Sequence, residues 1–151
     1  GENAPLPPSS APDVPLMGRP LAGQRVILAE DDDDNRTFME RALAGAGAEV
    51  SCVRDGQEAV ELILASLDFE RPFDVVVLNA KLPRLDGLAA TVMLRALGCD
   101  APIIALSTDP GGPHRERCAL AGCDGFLVKP MAPEALVQAC AQWVVPRANA
   151  A

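Results

Sequence analysis

The sequence has 151 residues, which is enough for one compact domain and too few for two of ordinary size. Hydrophobic residues make up 49% of the chain and aromatic residues only 3%, so the core must be built mainly from aliphatic side chains. The net charge of -8 argues against unaided binding to nucleic acid or to an anionic membrane, because both need a positively charged protein surface.

The chain begins with a proline-rich stretch. Residues 1–23 hold six of the fourteen prolines, and such a composition can neither form a regular helix nor bury much apolar surface. We predict a linker or tail over residues 1–23, a folded domain over residues 24–145 and a C-terminal tail over residues 146–151. The chain starts with Gly rather than Met, so we interpret it as one domain of a larger protein.

From Gln24 onward, short apolar runs alternate with amphipathic patterns. The runs predict strands at 25–30, 48–53, 73–79, 101–107 and 125–128, and the patterns predict helices at about 34–46, 56–67, 88–97, 114–122 and 133–144. The run at 73–79 is the richest in β-branched residues and is predicted to be the central strand. Five strands alternating with five helices predict an α/β fold, in which a doubly wound parallel sheet is covered on both faces.

The cysteines and the apolar runs favour a cytoplasmic protein. Five cysteines are scattered singly, and neither their odd number nor their spacing fits a disulfide framework or a zinc site. No apolar run approaches the roughly 18 residues that a membrane span needs, and no signal peptide is visible. We therefore expect reduced thiols and no membrane insertion.

Polar side chains follow several predicted strands, at the edge where sheets of this type bind ligands. Glu30 and Asp31 end the first strand, and two packed carboxylates are typical of a Mg²⁺ site. The acidic run also suits the start of the next helix, where we expect Asp33 or Asp34 to act as the N-cap. A polar side chain at any one strand end is weak support for a site when it is considered alone.

The strand ends carry more weight in combination. Asn79 ends the central strand, Ser107 ends the fourth and Lys129 follows the fifth. A lysine and a metal ion that neutralise charge, with a hydroxyl that donates a hydrogen bond, are the parts expected of a phosphoryl site.

Four segments resemble, in order and spacing, the receiver domain of two-component response regulators: LAEDD, VVVLNAKLPRLDG, IIALS and RCALAGCDGFLVKP. The resemblance covers about Gln24 to Val145. It implies a flavodoxin-like fold with a five-stranded sheet of order 2-1-3-4-5. It also implies that Glu30 and Asp31 lie near the metal, that Ser107 and Lys129 are the hydroxyl and the lysine of the site, and that Phe126 is the aromatic switch residue.

Two positions depart from the family pattern. Asn79 stands where the family carries its phosphoacceptor aspartate, and an amide oxygen is a far poorer nucleophile than a carboxylate. Thr108 stands where the family usually has a smaller residue, so its side chain would crowd an incoming phosphoryl group. We expect no acyl phosphate at Asn79 and weak or absent Mg²⁺ binding.

Three functions are compatible with these residues. The leading hypothesis is a receiver-type signalling module that is not phosphorylated and acts through protein–protein contact. The resemblance implies a histidine kinase or histidine phosphotransferase as its partner, with no nucleic acid. Other domains of the same chain, as in a hybrid histidine kinase, are further candidate partners.

The first alternative is an ordinary receiver in which the aspartate was deliberately replaced by Asn79. The second is a Mg²⁺-dependent phosphatase-like enzyme that uses Asp31 and Asp33, which have the spacing such enzymes need. Asn79 could also simply satisfy backbone groups in a turn.

Two other side chains are predicted from their local context. His114 lies in a polar, arginine-rich helix start and is predicted to be a surface residue. Met93 lies within an amphipathic pattern and is predicted to fill a gap in the core.

Overall fold

A computed structural model describes residues 18–144 of the chain. Its five strands are β1 Arg25–Ala29, β2 Glu49–Val53, β3 Val75–Asn79, β4 Ile103–Ser107 and β5 Gly125–Val128. Its five helices are α1 Asp33–Gly45, α2 Gly56–Asp68, α3 Gly87–Ala96, α4 Gly112–Ala121 and α5 Pro133–Ala141. The predicted alternation of strands and helices is therefore confirmed, and most boundaries differ by one to three residues.

The strands form one parallel sheet of order β2-β1-β3-β4-β5, with β3 at its centre. This is the flavodoxin-like order that the resemblance implies. Because every strand runs in the same direction, the carboxyl ends of β1, β3, β4 and β5 meet at one edge. That edge is where the polar strand ends of the sequence are brought together.

Helices cover both faces of the sheet and divide the core into two apolar clusters. Successive residues of a strand point to opposite faces, so Ile27 joins the cluster under α2 and α3, whereas Leu28 joins the cluster under α1 and α5. Both side chains are fully buried. This arrangement explains why the strands are continuous apolar runs and do not alternate with polar residues.

The start of α1 differs from the prediction. Asp32 is the N-cap, and its carboxylate accepts a hydrogen bond from Asn35 N at 2.8 Å. Asp33 and Asp34 lie in the first turn of the helix, where they complement its positive end but do not cap it. The prediction that one of these two residues is the N-cap was wrong by one or two positions.

The folded part begins earlier than Gln24. Leu21 is fully buried in the cluster under α1 and α5, and its backbone N–H donates to Ala46 O at 2.9 Å. Leu21 therefore belongs to the core, although it falls in the stretch predicted as a linker. The rest of that stretch up to residue 17, and the predicted tail at 146–151, lie outside the described residues.

The predictions for His114 and Met93 were both wrong. His114 is only 6% exposed, and its ring packs edge-on against Phe126 with the ring centres 5.8 Å apart. The neighbouring Arg115 and Arg117 are exposed, whereas His114 is buried against Phe126 of β5. Met93 is 40% exposed because it lies on the outer side of α3. Within residues 18–144, no helix is both long and apolar enough to cross a membrane.

Candidate functional site

The site begins where β1 ends. Glu30 follows the last residue of β1 and is almost completely buried, at 1% exposure, whereas Asp31 is exposed. The Glu30 carboxylate accepts a hydrogen bond from Asp32 N at 3.0 Å, which holds the β1–α1 loop across it. A buried carboxylate needs such partners, because an unpaired charge in a protein interior is strongly destabilising.

Asn79 lies next to both acids at the end of the central strand. Its Nδ2 donates to Glu30 Oε2 at 3.3 Å and to Asp31 Oδ1 at 3.2 Å. Its Oδ1 accepts from Lys129 Nζ at 3.2 Å. The amide thus bonds to both acids through its nitrogen and to Lys129 through its oxygen.

The direction of the Asn79 amide follows from these partners. A flipped amide would place its oxygen against the two carboxylates and its NH₂ group against the Lys129 ammonium, and all three contacts would be repulsive. Only the observed direction satisfies every atom. The side chain is also 8% exposed, so water cannot easily replace these bonds.

Lys129, which follows the edge strand β5, completes the network. Its backbone N–H donates to Ser107 O at 2.8 Å, which joins the ends of β4 and β5 and directs the side chain inward. Its Nζ lies 2.8 Å from Glu30 Oε1, and the exposed fractions of the two side chains are 14% and 1%. The pair is therefore a largely buried ion pair between residues 99 positions apart.

The other predicted site residues lie at the same edge but outside this network. The Ser107 hydroxyl accepts a hydrogen bond from Asp109 N at 3.0 Å, so it stabilises its own loop, and Thr108 is exposed. Phe126 contacts α4 through His114 and through the guanidinium of Arg115, which lies 4.8 Å from its ring centre. Phe126 therefore packs β5 against α4.

Arg36 belongs to the site and was missed in the sequence. Its guanidinium donates to Glu30 O at 3.0 Å and bonds to the Asp33 carboxylate, which Arg54 also approaches at 3.8 Å. The hydrogen bond from Arg36 lowers the pKa of Asp33, and the charge of Arg54 adds to this effect. The three-residue spacing of Asp33 and Arg36 on a helix was the available signal.

This pairing bears on the phosphatase-like alternative. That reaction needs Asp33 as a second acid beside Asp31, but Asp33 is exposed in the first turn of α1 and is held by two arginines. Arg36 links the Asp33 carboxylate to the backbone oxygen of Glu30, so Asp33 is held in an ion pair and is not free to act beside Asp31. The geometry therefore gives this alternative no support.

The network also limits what the site can do with a metal ion. Glu30 and Asp31 are the oxygen donors of choice for Mg²⁺, but both receive N–H groups from Asn79, and Glu30 is paired with Lys129 as well. Between residues 18 and 144, no three His, Cys, Asp or Glu side chains form a cluster that could hold a metal. As arranged, an ion at Glu30 and Asp31 would compete with the N–H groups of Asn79 and with the Lys129 ammonium.

Gly87, the first residue of α3, packs directly against the end of β3 at Asn79. A Cβ atom at Gly87 would lie 2.0 Å from Asn79 O, closer than real Cβ contacts occur. We expect Gly87→Ala to lower the free energy of unfolding by about 3 kcal/mol or more, because the backbone at the site would have to shift. Chemical denaturation measures this loss.

Gly45→Ala is the matched control, because a Cβ atom at that helical glycine meets nothing within 4 Å. It should leave stability unchanged or raise it by up to about 1 kcal/mol. Equal stabilities of the two variants would show that the close approach of Gly87 to Asn79 is not a constraint.

Residues 26–141 match the family described as the response regulator receiver domain. The chain belongs to this family. It is therefore a receiver domain of the two-component signalling type, and the resemblance of its strand-end motifs is confirmed at the level of the family.

Two curated relatives illustrate the similarity. Over 113 residues the chain is 38% identical to the response regulator MprA of Mycolicibacterium vanbaalenii, covering 75% of this chain and 47% of that protein. Over 114 residues it is 35% identical to the two-component response regulator ORR41 of Oryza sativa subsp. japonica, covering 74% of this chain and 87% of that protein. The chain thus spans about half the length of the first of these relatives.

Solved structures show the same fold. The receiver domain of the sensor histidine kinase PA1611 from Pseudomonas aeruginosa, with a magnesium ion in its active site cleft, superposes with a TM-score of 0.70 at 36% identity, covering 81% of this chain and 98% of that one. The receiver domain of the histidine kinase CKI1 from Arabidopsis thaliana, complexed with Mg²⁺, superposes with a TM-score of 0.70 at 30% identity, covering 80% of this chain and 92% of that one.

Proposed function

We propose that this chain is a receiver module of a two-component phosphorelay that is not phosphorylated as it stands and acts through protein–protein contact. The observation that carries the proposal is the position of Asn79, at the end of the central strand between the two acids and Lys129. In this proposal Asn79 occupies the phosphoacceptor position. Glu30, Asp31, Ser107, Thr108 and Lys129 surround that position, and Phe126 is the switch residue.

The chemistry of an amide supports this proposal. Phosphoryl transfer to a receiver requires a carboxylate oxygen that attacks phosphorus with a lone pair and becomes an acyl phosphate. The amide oxygen of Asn79 is neutral and already accepts a hydrogen bond from Lys129, and its nitrogen donates both hydrogens to acids. The side chain therefore lacks the negative charge that makes a carboxylate oxygen nucleophilic.

The same contacts support weak or absent Mg²⁺ binding. A magnesium ion would have to displace the NH₂ group of Asn79 from Glu30 and Asp31 and would receive only a neutral carbonyl in return. Loss of one carboxylate from the site also removes one unit of negative charge that would attract the ion.

The proposed partners are histidine kinase or histidine phosphotransferase domains in the cytoplasm, and other domains of the same chain. The similarity to receivers of sensor histidine kinases, such as that of PA1611, supports an origin in a hybrid histidine kinase. The net charge of -8 supports a protein partner in preference to a nucleic acid. In an unphosphorylated receiver, contact with the partner would be constitutive or controlled by another ligand.

The decisive experiment compares this chain with Asn79→Asp. Each protein is incubated with radiolabelled acetyl phosphate and Mg²⁺, and the label retained per chain is measured. We expect no label on this chain and label approaching one per chain on the variant, because the rest of the network is assembled. Label near one per chain on the protein with Asn79 would overturn the proposal.

The variant also addresses the first alternative, an ordinary receiver carrying a deliberate Asp-to-Asn change. That alternative is favoured by the position of Asn79 beside two acids and Lys129, because an aspartate there could share a cation with the acids and pair with the lysine. An Asn79→Asp variant that accepts phosphate from a kinase as well as from acetyl phosphate would support it. A variant that stays inert would show that Thr108 and its loop block the site too.

A further inference from the structure

The contacts of Asn79 match the charges that develop when an amide is hydrolysed. Its Oδ1 accepts from the Lys129 ammonium at 3.2 Å, and its Nδ2 donates to the carboxylates of Glu30 and Asp31 at 3.3 Å and 3.2 Å. When water adds to an amide carbon, the oxygen becomes negative and the nitrogen takes up a proton and becomes positive. The ammonium therefore lies where negative charge develops, and the two carboxylates lie where positive charge develops.

Asp31 is the group best placed to transfer protons in this reaction. Its Oδ1 lies 3.2 Å from Asn79 Nδ2, within the distance that general acid–base catalysis requires, and the residue is exposed, so water reaches it. Glu30 is less suitable, because it is 1% exposed and is engaged by Lys129 and by Asp32 N. Asn79 keeps 8% of its own surface in contact with solvent, so its amide is not sealed from water.

The backbone blocks the ordinary route of asparagine deamidation. In that route the backbone nitrogen of the next residue attacks the side-chain carbon and forms a cyclic imide, which opens to aspartate and isoaspartate. Here Ala80 N donates to Leu106 O at 2.8 Å, and Asn79 is the last residue of the central strand. Cyclisation would have to break this buried hydrogen bond and move the end of β3. Hydrolysis of Asn79 in the folded domain would therefore be direct attack by water.

We propose that the domain hydrolyses its own Asn79 amide and so converts this side chain into an aspartate. A water molecule attacks Cγ and gives a proton to Asp31, while Lys129 stabilises the negative oxygen. Asp31 then passes the proton to the nitrogen, the C–N bond breaks, and its electron pair leaves with ammonia. The new carboxylic acid gives its proton to the ammonia. Amide and water thus become carboxylate and ammonium, and nothing is oxidised or reduced.

The consequence for signalling rests on the proposed function, whereas the hydrolysis rests on the contacts of Asn79 alone. A newly made chain would carry Asn79 and would accept no phosphoryl group. An older chain would carry an aspartate at the same position, beside the same two acids and Lys129. Slow hydrolysis would then act as a timer that turns a silent receiver into a responsive one.

The test follows the full chain during incubation for several weeks in buffer with EDTA, so that no metal ion competes for Asp31. Peptide mass spectrometry and chromatography measure aspartate and isoaspartate at position 79. Asn35 is the internal control, because it is exposed and because Arg36 N donates to Asp32 O at 2.9 Å, which hinders cyclisation there too. We expect Asn79 to be hydrolysed at least about a hundredfold faster than Asn35, with aspartate as the only product.

A pair of variants tests the role of Asp31. Asp31→Asn keeps the shape of the side chain but cannot take up the proton, so it should slow the hydrolysis of Asn79 about a hundredfold. Asp34→Asn makes the same change on an exposed acid in the first turn of α1, and it should leave the rate unchanged. Circular dichroism checks that both variants are folded.

Two results would overturn the hydrolysis: equal rates at Asn79 and Asn35, or isoaspartate at position 79. An unchanged rate in Asp31→Asn would overturn the role of that acid. Label from acetyl phosphate should rise in proportion to the aspartate content, and aspartate without label would overturn the timer. Label on a fresh chain that still carries Asn79 would instead contradict the proposed function and leave the hydrolysis intact.

Discussion

Replacing Lys129 with methionine should lower the free energy of unfolding by about 3–5 kcal/mol, the range observed when one partner of a buried ion pair is removed. Glu30 is 1% exposed, and Lys129 supplies the only opposite full charge that contacts its carboxylate among residues 18–144. Without it, the carboxylate keeps only neutral N–H donors from Asp32 and Asn79. Urea denaturation at neutral pH measures the loss.

Lys81→Met is the matched control for this prediction. Lys81 also follows a strand, the central β3, but it is exposed, so its replacement should change stability by less than about 0.5 kcal/mol. If Lys129→Met were equally mild, the ion pair with Glu30 would not stabilise the fold.

A double variant tests whether Glu30 and Lys129 stabilise the fold as a pair. Glu30→Gln combined with Lys129→Met removes both charges and leaves a neutral amide that can still accept the hydrogen bonds at Glu30. The double variant should therefore be more stable than Lys129→Met alone, although it carries one more change. Additive losses would show that the two residues act independently.

The sequence predicted the position of the site better than its internal bonding. Glu30, Asn79 and Lys129 could be placed together because each follows a strand, and parallel strands end at one edge. What the backbone pattern could not reveal is how the side chains divide their hydrogen bonds. The insertion of Asn79 between two acids and one lysine depends on side-chain directions that only the packed site determines.

The errors have similar physical causes. His114 was expected at the surface because its neighbours are arginines, but adjacent residues on a helix point in different directions, and His114 faces Phe126. Asp33 was expected to cap α1 because any residue in the run of acids can accept the N–H groups of a helix start. The cap is Asp32, since the loop is fixed by Glu30 and Arg36.

Asn79→Asp should make the stability of the domain depend on Mg²⁺. In this chain the NH₂ group of Asn79 gives one hydrogen to Glu30 and one to Asp31, so it takes the place of a cation between them. An aspartate would lose both donors and add a third carboxylate beside a single ammonium group. Without metal, we expect the variant to be about 2–3 kcal/mol less stable than this chain.

Added Mg²⁺ should reverse that loss, because the ion binds the folded variant and, together with the Lys129 ammonium, balances the charge of the three carboxylates. At a free concentration of about 100 times its Kd, the ion contributes about 2.7 kcal/mol, which is close to the expected loss. Thermal unfolding with EDTA and with Mg²⁺ measures both effects. This chain should respond little, since its acids are already paired with Asn79 and Lys129.

Asn35→Asp provides the control, because it makes the same chemical change on an exposed residue of α1 near the same edge of the sheet. Its stability should not become dependent on Mg²⁺. If the protein with Asn79 were stabilised by Mg²⁺ as strongly as the aspartate variant, the amide would not be replacing a cation. A strong response of the variant alone would show that the site retains the geometry of a metal-binding receiver, and that the identity of residue 79 decides whether a cation is required.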